Sequence, residues 1–258
     1  MKFEPRLPDD SPNLPSEHPL LEASWLFAAL GVVAVMLTVV AVFVVELSVA
    51  FVPLSAEREL FAVVEDSLQL DHGAEQAVEI ERLLGPVVAQ WPDDPYDHRL
   101  FVLENDLSVN AFAYPGGSIG VTQGLADRLS GDPEAMTFIL AHEVGHFRNR
   151  DHLRGIGRQA AFGLMAFSLG LGGVDGSLHE AVNSSMGRSL SVEAEAEADA
   201  FAFEVLCALY GDTAGARRAF EAFPHHEGVE RVVELMSDHP TTPARIQAAV
   251  AFGGSCDS

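Results

Sequence analysis

An uninterrupted apolar block near the amino terminus constrains the architecture of this chain more than any other feature. It runs for 21 residues, from Trp25 to Val45, and Thr38 is its only polar member. At about 1.5 Å of rise per residue, a helix of this length spans the roughly 30 Å hydrocarbon layer of a bilayer. We therefore expect a transmembrane anchor over residues 23–47, after a proline-rich acidic tail over residues 1–22 and before a water-soluble domain over residues 53–258.

A cleaved signal peptide is the alternative interpretation of the block, with Ser48-Val49-Ala50 as a small-x-small cleavage site. The block is longer than the usual apolar region of a signal peptide, and five acidic residues precede it against Lys2 and Arg6. Both observations favour an uncleaved, single-pass anchor. Few basic residues flank the block, so its orientation is weakly encoded, and the expected arrangement is the tail inside and the domain outside.

Charge and cysteine content narrow the function classes. The formal net charge is −23 and Lys2 is the only lysine, which excludes a sequence-independent grip on phosphate backbones, and we expect no nucleic-acid partner. The hydrophobic fraction of 48% is enough for a core that needs no disulfides. Cys207 and Cys256 are either paired, in an oxidising compartment, or two unlinked thiols.

Periodicity predicts a mostly helical α+β domain with a small sheet. A second apolar stretch, Ala160 to Leu171, is too short to cross a bilayer. It is either a buried core helix or a segment that dips into the bilayer interface beside the anchor. The predicted helices cover residues 55–70, 74–91, 133–150, 191–210, 213–222 and 241–251, and the predicted short strands lie within residues 99–122.

One of these helices carries a metal-binding pattern. It begins at Asp132-Pro133, an N-cap side chain followed by proline at the first helical position. His142 and His146 are four residues apart and share a face, and Glu143 lies beside them. This is the HExxH pattern, in which zinc takes the two histidines and the glutamate activates water.

Catalytic zinc requires a third protein ligand and an open fourth position, and two candidates compete for the third ligand. His152 fits the metzincin spacing, although Asn149 replaces the turn glycine of that pattern. Glu195 lies on the inward face of the helix over residues 191–210, where a carboxylate requires a partner. Asp199, one turn later, could accept a hydrogen bond from a ligating histidine.

These segments resemble the HtpX-like membrane zinc metallopeptidases, whose relatives include the CAAX prenyl proteases. The resemblance rests on residues 110–117, 141–146, 195–199 and 238–240 and on Arg245. It implies a gluzincin-type zincin domain that binds one Zn²⁺ per chain, in the bacterial inner membrane. By resemblance the zinc ligands are His142, His146 and Glu195, the general base is Glu143, the supporting aspartate is Asp199, and the peptide-binding edge strand contains Asn110, Ala111 and Phe112.

The expected activity is therefore hydrolysis of peptide bonds in misfolded or membrane and envelope proteins. An oxyanion donor besides zinc is expected among His239, Tyr114 and Arg245, with Arg245 also a candidate for substrate binding. His239 has a second possible role, as a fourth zinc ligand that keeps the enzyme latent. A zinc-containing chaperone that holds polypeptides without cleaving them is the alternative from another functional class.

Overall fold

The computed structural model describes residues 19–59, 61, 75–104, 106–168, 191–223, 243–254 and 256. Helices dominate these residues and three short strands form one sheet, which confirms the predicted mostly helical α+β class. The elements are α1 (Pro19–Val49), α2 (Glu75–Val88), β1 (Arg99–Leu103), β2 (Ala111–Tyr114), β3 (Ser118–Thr122), α3 (Gln123–Arg128), α4 (Pro133–Asn149), α5 (Asp151–Ser168), α6 (Val192–Tyr210), α7 (Ala214–Ala222) and α8 (Pro243–Gly253).

Helix α1 contains the apolar block and extends beyond it at both ends. By length and composition it is able to cross a membrane, and most of its large apolar side chains are exposed. Residues 54–59 form a short helix after it, in agreement with the start of the helix predicted over residues 55–70, most of which lies outside the described residues.

The sheet has the order β1-β3-β2, with β1 parallel to β3 and β2 antiparallel to β3. Gly116 and Gly117 occupy the tight turn between β2 and β3 with φ of 96° and 109°, a conformation that favours glycine. Alternation along β2 directs Ala111 to one face of the sheet and Phe112 to the other. Because the strand order is β1-β3-β2, β2 lies at an edge of the described sheet.

Helix α4 is the centre of the domain. The Asp132 side chain accepts a hydrogen bond from the Ala135 amide, and Pro133 takes the first helical position, as the sequence predicts. Every residue from 135 to 147 is buried, because α4 packs against α2, α6 and α7. Gly145 allows the close approach of α6, since a β-carbon there would lie 2.8 Å from the Ala198 Cα atom.

The second apolar stretch belongs to α5, which begins at Asp151, nine residues before the stretch that the sequence analysis singled out. Arg150 divides α4 from α5 by adopting the left-handed conformation, with φ of 57°. Helix α5 then packs along α1 instead of entering the core around α4. Residues 169–171, the end of the predicted stretch, lie outside the described residues.

A disulfide settles the cysteine alternatives. Cys207 on α6 and Cys256 after α8 are bonded, with their Cα atoms 5.3 Å apart. The bond closes 49 residues of chain and holds the end of α8 next to α6.

Candidate metal centre

Helix α4 brings two imidazoles together inside the protein. The Nε2 atoms of His142 and His146 are 3.1 Å apart, and both residues are buried. The spacing of four residues puts both rings on one helix face. Two ring nitrogens at this separation can bind a single ion between them.

Helix α6 adds a carboxylate to the pair. The Ser191 side chain caps the helix by accepting a hydrogen bond from the Ala194 amide, which places Glu195 in the first turn. The Glu195 Oε2 atom lies 3.4 Å from His142 Nε2, and Oε1 lies 3.7 Å from His146 Nε2. Glu195 is buried, as its predicted inward position requires, whereas the other glutamates of this helix are exposed; they are Glu193, Glu197 and Glu204.

The three side chains fit a divalent transition metal. One ligand atom from each of His142, His146 and Glu195 lies within 4.8 Å of the others, and the cluster is buried. Two imidazole nitrogens and one carboxylate oxygen are a donor set that zinc binds in catalytic sites, with a fourth position left open. The residues present therefore fit a zinc ion.

Two further carboxylates orient the histidines. The Asp199 Oδ1 atom lies 3.0 Å from His142 Nδ1, and the Asp151 Oδ2 atom lies 3.0 Å from His146 Nδ1. A carboxylate that accepts the Nδ1 proton fixes the tautomer in which Nε2 is free to bind metal. The sequence analysis singled out Asp199 and missed Asp151, because the left-handed turn at Arg150 returns Asp151 to His146.

The electrostatics of the cluster favour a positive charge. Burial opposes protonation of His142, but hydrogen bonds to Asp199 and Glu195 outweigh it and raise the pKa of His142 to about 9. The same surroundings lower the pKa of Asp199, because His142 and Arg245 overcome the effect of its burial. The buried carboxylates thus attract a cation, which a bound metal ion supplies.

Arg245 on α8 lies against the carboxylates of the cluster. Its guanidinium forms a two-pronged contact with Asp199, at 2.7 and 2.8 Å, and its Nη1 atom lies 2.9 Å from Glu195 Oε2. The guanidinium also stacks over the Phe220 ring, 5.1 Å from its centroid. Arg245 therefore contacts the zinc-ligand candidate Glu195 and the orienting carboxylate Asp199, a placement that the sequence analysis did not predict.

A pocket opens beside the cluster. Helices α4, α7 and α8 and strand β2 contribute its walls, which include Ala111, Phe138, Ile139, His142, Glu143, Phe220, Phe223 and Arg245. Ala111 is thus the residue of the predicted peptide-binding strand that faces the site. The Phe112 ring lies on the other face of the sheet, 6.0 Å from the Phe101 ring, and the Asn110 backbone pairs with Thr122.

Two other predicted residues, His152 and Tyr114, lie away from the cluster. His152 Nε2 lies 2.9 Å from Glu57 Oε1, in a separate buried cluster. Tyr114 is buried with Phe101, on the face of β2 opposite Ala111. His239 lies outside the described residues, so its two predicted roles stay predictions.

The sequence model of Peptidase family M48 matches residues 74–252, more than half of the chain. The chain belongs to peptidase family M48. This confirms the resemblance noted from the sequence, and it makes the chain a member of a family of metallopeptidases. The M48 region contains both histidines, Glu195 and the two orienting aspartates, whereas α1 precedes it. A search of curated proteins finds no match to the chain.

Proposed function

We propose that this M48 member is a membrane-anchored zinc endopeptidase of the gluzincin type. The observation that carries the proposal is the convergence of His142, His146 and Glu195 beside a pocket whose wall includes Glu143. Three protein ligands and an accessible pocket are typical of catalytic zinc sites, whereas structural zinc sites are closed by four protein ligands. The site therefore supports turnover more than a chaperone that only holds polypeptides.

Glu143 is positioned to move protons. It is buried, it adjoins the ligand His142 in the chain, and it faces the pocket that a substrate would enter. When bound, zinc would supply Lewis acidity, which polarises a peptide carbonyl and makes a nearby water acidic enough to lose a proton at neutral pH. Glu143 accepts that proton as the water attacks and then donates it to the leaving amine.

Strand β2 provides a place for an extended polypeptide. The Asn110 carbonyl accepts a hydrogen bond from the Thr122 amide, so Asn110 bonds toward β3. Backbone groups alternate in direction along an antiparallel strand, so those of Ala111 and Ala113 point away from β3, to the outer edge of the described sheet. A substrate strand added at this edge would pass next to Ala111 and reach the pocket, with specificity set by its side chains.

Two features support an extracytoplasmic compartment for the domain. Helix α1 is able to anchor the chain by its length, and the Cys207–Cys256 disulfide is typical of an oxidising compartment. We therefore place the domain over residues 53–258 on the extracytoplasmic side of the bacterial inner membrane. Misfolded membrane and envelope polypeptides are the proposed substrates, because they are the extended chains available there.

Cleavage of unfolded casein by the full-length protein in detergent tests the activity. Glu143→Gln should lower turnover by about a hundredfold or more while about one zinc stays bound, because Glu143 moves protons and does not bind the metal. Glu197→Gln is the matched control, since Glu197 is exposed on α6. Undiminished turnover in zinc-loaded Glu143→Gln protein would refute the proposed mechanism.

A further inference from the structure

One face of the second half of α1 is partly or fully covered, and most of the other described side chains of this helix are exposed. The covered residues are spaced by one, three or four positions, which places them on a single face of the helix. They are Ala34, Thr38, Ala41, Val42, Val45, Glu46 and Val49. Helix α5 packs against α1, and the contacts of Val45 and Glu46 with α5 lie on this face.

The two helices are antiparallel, and the start of α5 lies beside the end of α1. Arg150, just before α5, donates hydrogen bonds to the carbonyls of Val49 and Val52, at 2.9 and 2.8 Å. Farther along α5, a β-carbon on Gly157 would lie 2.5 Å from Val45 Cγ1. From Gly157 the helix continues for 11 residues to Ser168, about 16 Å at 1.5 Å per residue. Ser168, the last residue of this helix that the structure describes, therefore lies near the level of Ala34.

The polar boundary of α5 coincides with that of α1. The last residue of the apolar block on α1 is Val45, and the next residue, Glu46, pairs with Arg154 and Arg158 of α5 at 3.0 and 2.8 Å. After Gln159, residues 160–168 of α5 contain no charged residue. Both helices thus change from charged to apolar at one level, which is what a shared membrane surface requires.

We propose that α5 is a second membrane-contacting element, whose residues 160–168 enter the hydrocarbon layer beside α1. The occupant beside this part of α5, where Ala160 is exposed, is the acyl chains of the lipids, which also surround the exposed sides of α1. This inference rests on the proposed anchoring by α1. It also fixes the metal centre near the membrane surface, because Asp151, the partner of His146, is the first residue of α5.

Quenching of a fluorophore by lipids that carry nitroxides at defined acyl positions tests the proposal. The full-length protein is labelled at Ala160→Cys, an exposed position of α5, and reconstituted in phosphatidylcholine vesicles. Leu37→Cys on α1 and Glu79→Cys on α2 are the controls, both at exposed positions. The native cysteines are joined in a disulfide, so each variant has one reactive thiol.

If the hydrocarbon layer begins at the level of Val45, the distance of each label from that level gives its depth. Ala160 lies three residues beyond Gly157, about 5 Å into the hydrocarbon layer, and Leu37 lies about 12 Å in. The label at Ala160 should be quenched most by nitroxides near the headgroup, the label at Leu37 by deeper ones, and the label at Glu79 by neither.

Quenching at Leu37 without quenching at Ala160 would overturn the inference and leave the anchor intact. Absence of quenching at both positions would refute the proposed anchor and the inference with it. Quenching at Ala160 that appears only on dilution of the protein in the bilayer would mean that a second copy of the chain covers this face, and it would also overturn the inference.

Discussion

Two buried clusters in this protein contain the same residue types, a glutamate and histidines, yet they are arranged for different purposes. The first joins Glu195 to His142 and His146, and the second joins Glu57 to His152. In the first, the carboxylate and two Nε2 atoms converge on one point. In the second, as the structure describes it, both carboxylate oxygens are already bonded to donors.

The Glu57 cluster is saturated. One oxygen accepts from the Gly116 amide at 3.1 Å and contacts His152 Nε2 at 2.9 Å, and the other accepts from Arg150 at 2.8 Å and Tyr96 at 3.3 Å. Burial alone would raise the pKa of Glu57, but these donors, led by His152, lower it to about 2. The cluster ties the segment after α1 to the end of α4.

The contrast shows that a buried glutamate beside a histidine is not sufficient to form a metal site. A carboxylate whose lone pairs are used by an arginine, a histidine, a tyrosine and an amide has no capacity left for an ion. Glu195 Oε2 lies 2.9 Å from Arg245 Nη1, and the two Glu195 oxygens also lie 3.4 Å from His142 Nε2 and 3.7 Å from His146 Nε2, so both still face the imidazoles. The comparison therefore supports Glu195 over His152 as the third ligand.

Removing the competing third-ligand candidates one at a time should give the largest effect, on the amount of zinc bound. Glu195→Ala should abolish stoichiometric zinc binding, because a ligand is lost, whereas His152→Ala should keep about one zinc per chain. Metal analysis of the purified variants measures this. Retention by Glu195→Ala together with loss in His152→Ala would reverse the comparison and favour the metzincin arrangement.

Breaking the saturated cluster should cost stability and leave metal affinity unchanged. Glu57→Gln leaves the Arg150 guanidinium without its buried partner, a change that typically costs about 3–5 kcal/mol. Denaturant unfolding in detergent measures the loss, and Glu59→Gln, exposed on the same short helix, is the control. A stability equal to that of the control would show that the cluster is not structural.

The Glu57 cluster should also confer a pH dependence on stability. The pKa of Glu57 falls from 4.5 to about 2 on folding, so its stabilisation is complete above about pH 4.5 and is lost as the pH falls toward 2. The shift corresponds to about 3 kcal/mol. The free energy of unfolding, measured between pH 6 and pH 3, should fall less steeply in Glu57→Gln. Parallel pH profiles would contradict this assignment.

The smallest expected effect is on zinc affinity, and it tests the two carboxylates that orient the histidines. Asp151→Asn and Asp199→Asn should each weaken zinc binding by about 10–100-fold, because the histidines lose the carboxylates that orient them. Competition titration with a chromogenic chelator measures the affinity, with the exposed Asp93→Asn as control. Unchanged affinity in Asp151→Asn would remove Asp151 from the site.

Local rules were sufficient for part of this picture. The cap at Asp132, the shared face of the histidine pair and the inward face of Glu195 all depend on residues within a few positions of one another. The family resemblance singled out Arg245 but did not predict its contact with Asp199. That contact joins residues 46 positions apart.

What the sequence analysis missed depends on distant parts of the chain. Glu57 and His152 meet across 95 positions. Asp151 reaches His146 because Arg150, a residue with no special preference for the left-handed conformation, adopts it. The packing of α5 on α1 follows from the same turn, and no periodicity within α5 predicts its partner.

Anomalous scattering at the zinc edge, from crystals of the zinc-loaded full-length protein, tests the central claim most directly. We predict one peak per chain, about 2.0–2.2 Å from the Nε2 atoms of His142 and His146 and from a Glu195 oxygen, and none at the Glu57 cluster. A peak bonded to His152, or a peak at the histidine pair without Glu195, would contradict the account.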